Sequence, residues 1–247
     1  MAQTITTIKP KEPATQADHR RYSFFRMALV VMLKDLRAEL RTKEAINGSF
    51  GFAVVILLLF SFAFDPDVDT NKALSGGLLW LVFAFAGTLI LNRSFARELP
   101  NDCLDALIAA PVSGAALFLG KALANYVLLL AVELVSLPVF GIFYNVHWTH
   151  QLSALLLVLA LGTWALTVIG TVFSALTVNI KLREVMLPML TYPILAPALM
   201  AAMQLTMPLI AGNAIAPEMM RWLKLLIGFD VMYTAISLFL VETVLVG

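Results

Sequence analysis

The sequence predicts an all-α membrane protein in which a cytoplasmic, interfacial amphipathic helix precedes six transmembrane helices. Three observations lead there. First, 60% of the 247 residues are hydrophobic and only 13% charged, against about 45–50% and about 25% in a soluble domain; the mean hydropathy is +0.88. Second, the few charges delimit long apolar runs, each holding the roughly 20 residues that cross about 30 Å of hydrocarbon. Third, no run shows the short alternating segments of a membrane barrel, and backbone groups in lipid must then be satisfied within helices. The same figures exclude an ordinary soluble enzyme and a disordered chain. A formal net charge of +1 implies no nucleic-acid partner.

Residues 1–21 are polar, with Pro10 and Pro13 among them, and read as a disordered cytoplasmic tail. They lack the short apolar core and small-residue cleavage site of a secretory signal. Residues 22–44 read as the amphipathic helix. Phe24, Phe25, Ala28, Leu29, Met32, Leu33, Leu36 and Leu40 recur at helical spacing, with Arg26, Lys34, Asp35, Arg37, Arg41 and Lys43 interleaved. Such a helix lies in the membrane interface with its basic side chains toward headgroups. It serves either as a lipid anchor alone or as an elbow that also docks a partner.

Residues 45–247 read as one six-helix transmembrane domain. Ala45–Phe64 and Ala73–Asn92 are each twenty residues without a charge. Leu134–Ile180 is forty-seven, too long for one helix, and divides at His147–His150. Val185–Pro217 is thirty-three. The spans fall at about 46–64, 76–92, 122–144, 153–178, 186–208 and 223–245. With the N-terminus inside, fourteen of the seventeen Lys and Arg are cytoplasmic, and only Lys72, Arg221 and Lys224 are outside. The excess of basic residues on one side orients the chain with both termini in the cytoplasm.

The cytoplasmic loop between spans 2 and 3 is long. Arg93, Phe95, Arg97, Glu98, Asp102, Leu104, Asp105, Leu107 and Pro111 stand in it, with apolar residues at spacings of three to five. Short helices broken at Pro100 and Pro111 are expected. A plain connector could be about four residues long, so a loop of this size suggests a docking surface. The following Gly114-Ala-Ala-Leu-Phe-Leu-Gly120-Lys121-Ala122 only faintly resembles a phosphate-binding loop. Its glycines are one residue too far apart, Ala122 stands where Ser or Thr would hold magnesium, and a membrane helix follows.

Span 4 carries a small and polar stripe, Thr163, Thr167, Gly170, Thr171, Ser174 and Thr177, which suits close helix packing. Span 5 holds Pro188, Pro193, Pro197 and Pro208, which should bend it. Intramembrane charge is confined to Glu133, Asp230 and Glu242. Glu242 can snorkel to the surface. Glu133 and Asp230 are the candidate intramembrane site, either a buried carboxylate with a partner in the bundle or part of a pathway. One cysteine and three histidines give neither a disulfide nor a metal site. No nucleophile–base constellation appears, so the chain is not read as an enzyme.

The run Arg93-x-Phe95-x-x-Glu98-Leu99-x-x-Asp102-x-Leu104-Asp105-x-Leu107-x-x-x-Pro111 resembles the segment after the second span of the haem exporter protein B family. These are permeases of the cytochrome c maturation ABC transporter. The resemblance continues through Leu119-Gly-Lys121, Pro138 and Leu176-Thr-Val-x-x-Lys181, followed by Leu187, Pro193 and Pro197. Leu36-Arg37-Ala-Glu-Leu-Arg41 is similar to the family's amphipathic start. The family usually has Gly where Asp102 stands and Glu where Asp105 stands.

The resemblance implies an ABC-2-like permease domain that binds no nucleotide. ATP would be hydrolysed on a separate ABC ATP-binding subunit docked at the 93–111 loop. Further implied partners are a haem-handling membrane subunit and a small single-span subunit. A homodimer is compatible with the same reading, and membrane lipid surrounds the chain. Haem would be the transported or handled ligand rather than a resident cofactor. Three alternatives remain open on the residues alone: a general ABC-2-type exporter permease for a drug, lipid or polysaccharide; a secondary transporter, although no internal repeat supports it; and a non-transporting membrane scaffold.

Overall fold

A computed structural model describes residues 24–63, 68–99, 113–144, 146, 149–178 and 180–246, with side chains omitted at 68–75 and 242–246. The described residues are helical apart from short connections. The interfacial helix is α1 (Phe24–Thr42), and the spans follow as α2 (Glu44–Ala63), α3 (Val68–Ser94), α4 (Gly114–Tyr144), α5 (Leu152–Thr177), α6 (Arg183–Ile210) and α7 (Met220–Val246). Single 3-10 turns lie at Ala96–Glu98 and Pro217–Met219. Six of these helices are long and apolar enough to cross a membrane. The tail 1–21, Pro100 and the loop residues Asp102, Leu104, Asp105, Leu107 and Pro111 lie outside the described residues, as do His147 and the side chain of Glu242.

The bundle is organised around α3 and α5. Within their apolar windows 61% and 56% of residues are buried, against 22% in α2 and 28% in α7. The sequence explains why these two take the centre. Small residues on them let neighbours approach closely. A Cβ on Gly162 would lie 2.1 Å from the Trp80 ring, and one on Gly170 would lie 2.3 Å from Leu91. Trp80 is fully buried and its indole N–H donates to Thr206 on α6 at 2.9 Å. The polar stripe on α5 is therefore inside the protein. Ser174 donates to the Leu91 carbonyl at 2.7 Å, and Thr171 accepts from Asn125 at 3.0 Å. The periphery carries the lipid face: Phe62, Ile142 and Phe239 are 86%, 78% and 81% exposed.

Two boundaries differ from the sequence expectation. The second span is part of a helix that starts at Val68, and the third belongs to a helix that starts at Gly114, two turns before Lys121. Lys121 had marked the end of the apolar run, but it is fully buried. Gly120 explains the rest: a Cβ there would lie 2.6 Å from the Ala28 carbonyl oxygen and 2.7 Å from Val31. The glycine is needed because α1 lies directly on the first turns of α4. The prolines Pro188, Pro193, Pro197 and Pro208 all sit inside one uninterrupted α6.

Helix α1 has three faces rather than two. Ala28, Val31 and Glu39 are buried against the bundle. Phe25, Leu29, Leu33 and Leu40 form an exposed apolar stripe, as a helix lying in the interface requires. Arg26, Arg37 and Arg41 are exposed on the remaining side. The helix stops because Lys43 turns into the left-handed region at φ +56°. Its N–H donates back to the Glu39 carbonyl at 2.6 Å, the single-bond form of an αL stop. This residue is the elbow between the interface and the first span.

Candidate functional site

The described part of the 93–111 loop does not hang free. Phe95 is fully buried and packs with Leu99 and with Ala175 and Val178 at the C-terminal end of α5. That anchor places the turn Ala96–Glu98 beneath α1, where charges from five elements meet. Lys121 of α4 donates to Asp35 of α1 at 3.1 Å, to Glu98 at 3.1 Å and to the Ser94 carbonyl at 2.9 Å. Its ammonium also stands 4.9 Å from the centre of the Phe95 ring. Lys34 of α1 donates to Glu98 at 2.6 Å and lies 3.3 Å from Asp35. Arg97 pairs with the buried Glu39 of α1, and Arg93 pairs with Glu44 of α2 at 2.7 Å.

Glu39 does a second task. Its carboxylate accepts the Ala45 N–H at 2.7 Å and the Ile46 N–H at 3.0 Å. These are two of the unpaired amides that open α2, so the preceding helix supplies the cap and a negative charge at the positive end of the dipole. One side chain thus ties α1, α2 and the loop together. Burial pulls the Lys34 ammonium down, but its hydrogen bond to Glu98 and the charges of Asp35 and Glu98 outweigh that and hold it above the usual lysine range.

Of the loop residues singled out from the sequence, Arg93, Phe95, Arg97 and Glu98 are brought into this junction. Their neighbours Lys34, Asp35, Glu39, Glu44 and Lys121 were not singled out as site residues. A signal existed: Ala28, Val31, Asp35 and Glu39 recur every three or four residues on one helix face. Beside the junction a cleft of about 380 Å³ opens between Leu99 and the turn joining α5 to α6, lined also by Lys181, Arg183 and Glu184.

Glu133 and Asp230 stand elsewhere, in a polar layer across α4, α5 and α7. Glu133 is eleven residues inside the Tyr144 end of α4, Thr163 eleven inside the Leu152 end of α5, and Asp230 ten inside the Met220 end of α7. At about 1.5 Å per residue that is about 15 Å deep, near the middle of the hydrocarbon. Glu133 is fully buried, and its two oxygens lie 2.8 and 2.7 Å from the single Thr163 hydroxyl. Trp164 donates to Thr234 at 3.0 Å and receives the edge of Tyr126. Asp230 is 6% exposed, and neither of its oxygens has a hydrogen-bond partner among the described residues. Among the described residues no group of three His, Cys, Asp or Glu could hold a metal.

Comparison with known proteins places this geometry in a family. Residues 26–245 match the family model described as CcmB protein. Three bacterial proteins named heme exporter protein B are similar over most of their length. The protein of Rhodobacter capsulatus is 30% identical over 175 residues, covering 71% of this chain and 80% of its own. That of Paracoccus denitrificans is 28% identical over 169 residues, 68% of this chain and 77% of its own. That of Pseudomonas aeruginosa is 29% identical over 171 residues, 69% and 76%. The match takes in α1, the junction and all six spans, and the chain belongs to the CcmB protein family.

Proposed function

We propose that this multi-pass membrane protein is the permease subunit of a cytochrome c maturation ABC transporter, and that it converts ATP hydrolysis on a partner subunit into movement of its spans. Family membership supports the role. The observation that carries the coupling part is the junction. The start of the loop is fixed to α1 by Lys34 and Glu39, to α2 by Glu44 and to α4 by Lys121, which also holds Asp35 of α1. A force on the 93–111 loop therefore acts on three helices at once. Packed interfaces of this kind respond as units rather than bending continuously.

In this reading the ABC ATP-binding subunit docks on the loop, with Asp102, Leu104, Asp105, Leu107 and Pro111 among the residues it contacts. Nucleotide shifts the permease only by binding its two states with different affinity. The basic residues keep both termini in the cytoplasm, so the ATPase works on that side. The outer ends of the spans then act on the periplasmic side, by export of haem or release of a haem-loaded chaperone. A haem-handling membrane subunit and a small single-span subunit complete the complex. The chain itself is proposed to carry no catalytic residue and no resident cofactor.

The test is the pair of variants Asp105→Arg and Leu104→Arg, expressed with the ATP-binding subunit. Both should lose co-purification of the ATPase, or its coupled activity, while the spans remain inserted. Wild-type amounts of active ATPase with both variants would reject docking at this loop.

A further inference from the structure

The junction beneath α1 leaves the mid-depth layer unexplained. On the surface between α5 and α7 a groove of about 360 Å³ runs along the bundle, lined by Trp164, Asp230, Val231, Thr234, Ala235 and Leu238. Its walls are apolar except for Thr234 and the aspartate. Asp230 sits at the floor, 6% exposed, with both carboxylate oxygens unpartnered among the described residues. The indole N–H of Trp164 in the groove wall is already committed to Thr234. A carboxylate left so at mid-depth is costly, and intramembrane charges ordinarily face a partner or a water-filled cavity.

The groove is shaped for a helix. Val231 and Ala235 are exposed along one line of α7, and one turn toward the outer end stands Gly228, where an added Cβ would meet nothing. Small residues in such a line allow a transmembrane helix to come close. We infer that this groove receives a transmembrane helix of another subunit, and that a basic side chain on that helix pairs with Asp230. The recess is reached by a rotamer change of the aspartate, an adjustment common where proteins meet. This reading goes beyond the docking of the ATPase and does not depend on it, because the two surfaces lie at different depths and on different helices.

The other occupants fit less well. A lipid chain fills the groove but offers Asp230 no donor. A second copy meeting across α7 would bring two Asp230 carboxylates together. Its Arg221 and Lys224 would stand six to nine residues nearer the surface, about 9–14 Å away along the axis. Haem carries anionic propionates and would meet the Asp230 carboxylate, with no cation lining the groove among the described residues.

The test is site-directed photo-crosslinking in native membranes that contain the whole complex, with benzoylphenylalanine placed at Val231 or Leu238, both large side chains that line the groove, and, as lipid-facing controls, at Phe62 or Ile142. The expected result is a cross-link from the groove positions, absent from the controls, to a transmembrane helix of a different subunit. Mass spectrometry should place it within about one turn of a Lys, Arg or His. Asp230→Leu, which removes the charge, should lower the yield about threefold, the average size of one interhelical polar contact. Ala235→Phe should abolish cross-linking from Val231 by filling the groove. The ATP-binding subunit should co-purify undiminished with both variants. Cross-links to lipid only, cross-links to a second copy of this chain, or a yield unchanged by Asp230→Leu would each overturn the inference.

Discussion

The junction beneath α1 and the mid-depth layer both bury carboxylates, and they treat them in opposite ways. At the junction Asp35, Glu39, Glu44 and Glu98 meet Lys34, Arg93, Arg97 and Lys121, all supplied by this chain. In the layer Glu133 meets one threonine hydroxyl and Asp230 meets nothing among the described residues. Yet the layer lies in the poorer solvent for charge, where compensation matters more. The difference separates two kinds of site. The junction is complete within the chain and behaves as a mechanical joint. The layer is incomplete and points outward to whatever completes it.

Breaking the joint at its centre should give the largest effect. Lys121→Met removes the one cation that reaches Asp35, Glu98 and the Ser94 carbonyl together. Removing one partner of a buried ion pair typically costs about 3–5 kcal/mol, because the opposing charges stay behind. Thermal unfolding in detergent should show a clear fall in midpoint. A variant as stable as wild type would mean that Asp35 and Glu98 are held by other groups.

Glu39→Ala comes next. It removes the cap on α2 and the partner of Arg97, and about 2 kcal/mol is expected from a lost cap and a charged hydrogen bond. Glu39→Gln keeps an acceptor for the Ala45 and Ile46 amides and should lose about half as much. Amide exchange at Ala45 and Ile46 separates the two variants: it should quicken in the alanine variant and stay slow in the glutamine one.

The same contrast predicts a small effect in the layer. Thr163→Val takes away the donor that Glu133 shares between its oxygens. Interhelical hydrogen bonds in membranes average about 0.6 kcal/mol, with a maximum of about 1.7. The variant should unfold only slightly earlier than wild type. A loss as large as that of Lys121→Met would make Glu133 a structural centre and weaken the contrast.

How much of this could be read in the sequence follows from which solvent each residue meets. The six spans were legible because lipid demands about twenty apolar residues each time, and the exposed apolar stripe of α1 was legible from its period. The joint was not. Asp35 and Glu39 look like solvated charges because the residues that cover them, Arg97 and Lys121, are 58 and 86 positions away along the chain. Lys121 looked like the end of a span for the same reason. Gly120 stands in a run that only faintly resembles a phosphate loop, and the close approach of α1 supplies the reason for the glycine. In the layer, Glu133 and Asp230 stood out as charges in apolar runs, but no spacing announced that one would find Thr163 and the other no donor.

The smallest expected effect lies at the rim of the joint, where Lys34 is 45% exposed at its side chain. Its ammonium is held above the ordinary 10.5 by Glu98 and Asp35, although burial pulls it the other way. A cationic group whose folded value is raised binds its proton more tightly in the folded state. Its contribution is fully present below pH 10.5 and is lost as the pH rises through the raised value. An exposed pair of this kind is worth about 0.2–1 kcal/mol, less at high salt. Protease susceptibility of α1 should therefore rise at alkaline pH in the wild type, and Lys34→Met should flatten that limb while leaving the behaviour near neutrality almost unchanged. An equally steep alkaline limb in the variant would show that Lys34 is not the titrating group, and would remove the distinction between the screened edge of the joint and its closed centre.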